Sequence, residues 1–123
     1  MSTPKPIETS DRVVRNIKTT AFDTYHDADG NVVPGQSYLQ LDHTFPPGAG
    51  FTIYRMEPGS SSQPHEHTCH ENFYVIEGET VDNDGYVYRA GDFVMLKKGT
   101  QHFSTTKTGA TLVVFVRELE ENL

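Results

Sequence analysis

Glycine and proline turns cut this 123-residue chain into short segments. Asp29-Gly30, Pro46-Pro47-Gly48, Pro58-Gly59, Asn83-Asp84-Gly85 and Lys98-Gly99 each supply a residue that tolerates positive φ or arrives with φ preset. The runs between them are rich in β-branched and aromatic residues, a pattern that points to an all-β sandwich or barrel. The expected strands lie near 13–19, 22–26, 37–42, 50–57, 63–67, 72–77, 79–81, 86–89, 93–96, 101–105 and 110–117. The length suits one domain.

One stretch carries chemistry. It reads Gly59-x5-His65-x-His67-x3-Glu71-x6-Gly78. Successive side chains on a strand point to opposite faces, so His65 and His67 share a face and can present two imidazoles to one ion. Glu71 adds an oxygen donor. Downstream, Gly91-Asp92 opens the apolar run Phe93-Val94-Met95-Leu96, and the turn at Gly99 delivers His102, a third imidazole.

These two stretches resemble the paired sequence motifs of the cupin superfamily, whose second motif has the form G-x5-P-x-G-x2-H-x3-N. The second stretch reads Gly91-x5-Lys97-x-Gly99-x2-His102-x3-Thr106, with lysine for proline and threonine for asparagine at two positions that are not ligands. The resemblance covers about residues 37–116 and implies a single-domain cupin, a double-stranded β-helix or jelly-roll-like barrel. Residues Glu77–Gly85 and Tyr88–Phe93 look like the small cupins of the ChrR type and of the diketone-cleaving dioxygenase type. Only Glu79 to Ala90 separates the motifs, which is room for a hairpin and no lid.

The expected organisation is a loose N-terminal arm at 1–12, a barrel at 13–117 and a polar tail at 118–123. A domain this small gains from burying further surface by self-association, and cupin barrels are commonly dimers, so a homodimer is expected.

The resemblance implies a mononuclear site of His65, His67, Glu71 and His102 around one divalent transition metal. Three neutral imidazoles and a carboxylate leave a net charge of about +1, and an octahedral ion would keep two positions for water or substrate. Fe, Mn, Ni, Zn and Cu all suit such donors. Gln63 shares parity with His65 and is a candidate second contact. Phe73, Val75, Met95 and Phe115 are candidates for the pocket wall, and Cys69 for an unliganded thiol at its mouth. Strand 50–57 leaves open which face turns inward, Phe51, Ile53 and Arg55 or Thr52, Tyr54 and Met56. His26 and His43 stand outside both motifs, and His70 is expected at the rim.

An ion with two adjacent vacancies chelates oxygenated compounds, polarises carbonyls or holds substrate beside O2. The expected function is therefore a metal-dependent enzyme acting on a small oxygenated organic ligand, with a dioxygenase as its most specific form. The alternative is a non-catalytic binding or sensory cupin. The net charge of −7 and the lack of any Lys/Arg run argue against nucleic acid. No segment reads as a signal peptide or a membrane span. Cys69 is the single cysteine, which fits a reducing cytoplasm.

Overall fold

The computed structural model describes residues 2–123, and its regular structure is almost entirely antiparallel β. The strands are β1 (Asp23–His26), β2 (Val32–Gln40), β3 (Gly50–Met56), β4 (His65–Glu66), β5 (Glu71–Asp82), β6 (Val87–Arg89), β7 (Phe93–Leu96), β8 (Gln101–His102), β9 (Ser104–Thr105), β10 (Ala110–Val116) and β11 (Glu121–Asn122). A curled sheet runs β1-β2-β3-β10-β5-β6, with β7 and β9 also paired to β5. A second, three-stranded sheet runs β11-β4-β8. Among the described residues no helix is long and apolar enough to cross a membrane.

The stretches expected at 72–77 and 79–81 form one strand, β5. Its join is a bulge: Thr111 faces Glu77 and Leu112 faces Val75, so Ile76 has no counterpart on β10. The extra residue reverses side-chain parity. Before it Phe73 and Val75 are buried; after it Thr80 and Asp82 are. Gly78 sits at this crossing with φ of 80°, and a Cβ there would lie 1.9 Å from the carbonyl oxygen of Gly109. Only glycine fits.

The core gathers Phe73, Val75, Tyr88, Ala110 and Leu112, with Tyr54, Val94, Leu96 and Val114 packed against it. On β3 the inward set is Thr52, Tyr54 and Met56. Arg55 turns outward, where its guanidinium lies 3.9 Å over the Phe22 ring and donates to the Ile17 carbonyl at 3.3 Å. It therefore anchors the preceding segment and cannot meet a ligand inside.

The strand expected at 13–19 does not form. Val13 and Val14 are exposed and no neighbouring strand offers them a ladder, so a 3-10 turn at Thr9–Asp11 and a turn near 17–19 are the local structure. The expected strand 101–105 is split at Phe103 into β8 and β9, which join different sheets. Residues 118–123 carry β11, which pairs with β4, and Leu123 donates to the Pro64 carbonyl at 3.0 Å. The tail is thus part of the second sheet.

The two departures from the family motif are absorbed locally. Thr106 is buried and donates to the Glu79 carbonyl at 2.7 Å. Without proline, the turn at Lys97 is closed by Thr100, whose hydroxyl and backbone N–H both donate to the Lys97 carbonyl.

Candidate metal centre

Strand pairing places His65 of β4 directly opposite His102 of β8. His67 follows two residues along, and its backbone exchanges hydrogen bonds with Gly99 and Thr100, the turn before β8. Gly99 holds φ at 90°, which gives that turn its direction. The three rings converge, with centroids 4.6–4.9 Å apart, and one nitrogen from each lies within 4.8 Å of the others. His65 and His67 are buried and His102 nearly so. Such a cluster could hold a metal ion.

The hydrogen bonds behind the rings suit that use. Nδ1 of His65 lies 2.6 Å from the Gln63 carbonyl, which can only accept, so the proton sits on Nδ1 and Nε2 keeps its lone pair. Nδ1 of His102 donates in the same way to Asp82 Oδ1 at 3.0 Å. Nε2 of His102 then faces Nε2 of His67 at 3.0 Å. Two lone pairs at that distance repel unless a proton or a cation lies between them. The arrangement fits a metal held by ring nitrogens whose orientation is set from behind.

Asp82 was not among the residues singled out from the sequence. It is buried and accepts three hydrogen bonds, from His102, from the Ser104 hydroxyl at 2.6 Å and from the Tyr88 hydroxyl at 2.6 Å. Burial alone would raise its pKa, but these three donors lower it, so it stays a carboxylate.

Of the four expected ligands, Glu71 stands apart. It lines the same cavity, with Oε2 3.8 Å from Nδ1 of His67, but lies outside the tight cluster of nitrogens. Burial, with the charge of Glu120 added, pushes its carboxyl up to about 7. Burial, then the neighbouring imidazoles, pulls His67 down to about 4. His65 is also lowered by burial, although Glu120 opposes this. For His102 burial lowers the pKa, but the hydrogen bond and charge of Asp82, with Glu71 and Glu120, more than offset it and raise it.

His65 and His102 open into a cavity of about 90 Å³. Gln63 and Phe73 line it, beside Val33, Leu112, Val114 and Val116. Three expected wall residues, and Cys69, expected at the mouth, do not line it. Val75 is fully buried in the core. Met95 and Phe115 have the opposite parity from Leu96 and Val114 and lie on the outer face, Met95 exposed and Phe115 edge-on to Phe45. Cys69 is turned toward the Glu118 carbonyl, 3.7 Å away. His70 is exposed and accepts from the Lys98 backbone N–H at the rim, while His26 and His43 are exposed and take no part in the cluster.

Comparison with known families gives a match to the ChrR Cupin-like domain over residues 28–120. Curated proteins give no match. Among solved structures, the polyketide cyclase RemF from Streptomyces resistomycificus is 21% identical, with 91% of this chain and 85% of that one covered and a TM-score of 0.67. An acetylacetone dioxygenase from Acinetobacter johnsonii is 14% identical, with 93% and 78% covered and a TM-score of 0.65. The anti-sigma protein ChrR, solved in complex with SigE of Rhodobacter sphaeroides, is 15% identical, with 81% of this chain and 50% of that one covered and a TM-score of 0.61. At these identities the shared property is the fold.

Proposed function

The chain belongs to the ChrR cupin-like domain family, and from that premise we propose that it is a metal-dependent enzyme acting on a small oxygenated organic compound. Oxygen-dependent cleavage of a diketone, taken in its enol form, is the most specific version. The observation that carries the reading is the convergence of His65, His67 and His102, of which His65 and His102 line a cavity and are locked from behind. Those three residues would hold the ion, with Glu71 as a fourth donor from the same cavity. Iron, manganese, nickel, zinc and copper all match imidazole and carboxylate donors.

When bound, such an ion supplies Lewis acidity toward a carbonyl or enolate oxygen and, if redox-active, electrons for O2. The chain's own residues do the rest. Phe73, Leu112, Val114 and Val116 keep water away, and Gln63 holds His65 in the tautomer that leaves Nε2 free. A cavity of about 90 Å³ is smaller than the roughly 150 Å³ that holds benzene, which disfavours a polycyclic substrate.

The test is elemental analysis of anaerobically purified protein, together with O2 uptake on adding acetylacetone. Near-stoichiometric metal with substrate-dependent O2 consumption supports the dioxygenase version. Metal without uptake, but with a ligand-induced change in melting temperature, points to the second reading, a binding or sensory module. The family match and the likeness to an anti-sigma protein favour that alternative.

A homodimer suits the outer face of the sheet. There Tyr74 pairs with Phe93, Asn72 with Met95 and Phe115 with Phe51, and Phe93, Met95, Phe51 and Tyr74 are all exposed. Such an apolar face is unusual for a monomer. Sedimentation of the wild type and of Phe93→Asp checks it: a dimer that the variant dissociates is expected, and a monomeric wild type removes the idea.

A further inference from the structure

The cavity has a second polar pole that belongs to none of the motifs. Glu120 lines it from the C-terminal segment, and its Oε1 accepts a 3.0 Å hydrogen bond from the Tyr25 hydroxyl. Among the described residues Oε2 accepts none. The Tyr54 hydroxyl on this wall is already committed, because it donates to Gln36. Tyr25 itself is buried and packs edge-on against Tyr38 and Tyr54, with ring centroids at 6.0 and 5.6 Å.

Glu120 is also held in place by its neighbours. On one side the Leu119 carbonyl accepts from the Thr68 hydroxyl at 3.1 Å. On the other, Asn122 pairs with His65 in the ladder and donates to Asp27 and Asp29, each at 3.0 Å. A carboxylate that lines a cavity with one oxygen anchored and the other without a donor is an acceptor waiting for one.

We propose that Glu120, positioned by Tyr25, is a specificity-determining residue that selects ligands carrying a hydroxyl or N–H donor in addition to the oxygen presented to the histidines. The ligand class is then a small hydroxyketone, or a diketone whose enol keeps its O–H. This builds on the reading of the histidine cluster as the oxygen-binding pole, and adds a donor requirement that the cluster does not impose.

The test compares two probes of similar size, hydroxyacetone and methoxyacetone, of which only the first carries an O–H. Dissociation constants come from NMR titration of the protein as isolated, and metal content is measured separately. The wild type is expected to prefer hydroxyacetone by about tenfold, the scale of one hydrogen bond to a charged group. Glu120→Gln should bring that ratio close to one without changing metal content or methoxyacetone binding. Tyr25→Phe, which keeps the carboxylate but frees it, should give an intermediate ratio, and it decides the matter if Glu120→Gln does not fold. A wild-type ratio near one, or a ratio unmoved in the folded variants, overturns the proposal. So does loss of metal from Glu120→Gln, which would make Glu120 a ligand. A wild type without metal counts against the metal reading alone, since the probe ratio still judges Glu120.

Discussion

The Asp82 carboxylate accepts a 3.0 Å hydrogen bond from Nδ1 of His102, so this ring carries its proton on the side turned away from the other two histidines. Ser104 and Tyr88 fix Asp82 in turn. Such partners orient a ligating ring and raise its basicity, and removing one typically weakens metal binding about 10–100-fold. Asp82→Asn should show a loss of that size in a chelator competition assay. His102→Ala should lose more, and His26→Ala nothing. An Asp82→Asn protein with wild-type affinity would mean that the ring needs no orienting partner.

Glu71 makes a prediction for the metal-free protein. Its folded pKa of about 7 lies above the unfolded value of 4.5, so the folded state holds this proton more tightly. That contribution is fully present below pH 4.5 and is lost as pH rises to about 7. Glu71→Gln cannot lose a proton there. At pH 8 the metal-free variant should therefore be more stable than the wild type, by on the order of 1–3 kcal/mol, with the difference vanishing near pH 4. Urea unfolding at the two pH values measures it, and a gap that does not change with pH would refute the burial argument. In the metal-loaded protein the sign should reverse, because the same substitution removes a donor.

Side-chain parity explains which parts of this site could be read from the residues alone. The histidines were legible because His65 and His67 share parity and the Gly99 turn delivers His102 beside them. Asp82 was not, because the bulge at Ile76 reverses parity within β5, and a bulge leaves no mark in a run such as Val75-Ile76-Glu77. Met95 and Phe115 were misplaced for a related reason. β7 and β10 are apolar at nearly every position, so no alternation tells the inner face from the outer. Glu120 lies in a tail whose polar sequence resembles a frayed end. Its order comes from pairing with β4, a contact between residues more than fifty positions apart in the chain.

Gly78 tests the crossing that makes the bulge possible. A Cβ at that position would lie 1.9 Å from the Gly109 oxygen and 2.8 Å from Cα of Ala110, both backbone atoms that cannot swing aside. The positive φ adds strain of roughly 1 kcal/mol for any L side chain. Gly78→Ala should cost several kcal/mol in a denaturant melt, beyond the usual range of about 0.5–3 for a point substitution. Gly85→Ala is the control: its φ is 89° and nothing lies within 4 Å, so only the conformational cost remains. Equal losses at the two positions would show that the close approach to Gly109 is not what demands glycine.

The C-terminal segment makes the last prediction. Removing residues 118–123 deletes β11, the partner of β4, and with it the hydrogen bonds from Asn122 to Asp27 and Asp29, from Leu123 to Pro64 and from Thr68 to Leu119. At about 0.5–1.5 kcal/mol each, the four lost bonds should lower stability by on the order of 2–6 kcal/mol. The loss falls on the strand that carries His65, so metal affinity should drop as well, by about tenfold or more. Deleting residues 2–12, which are exposed throughout, should leave metal affinity unchanged. A thermal melt and a chelator competition on both truncations separate the effects. If both deletions leave affinity intact, β4 holds His65 without help from β11, and the tail serves the cavity wall alone.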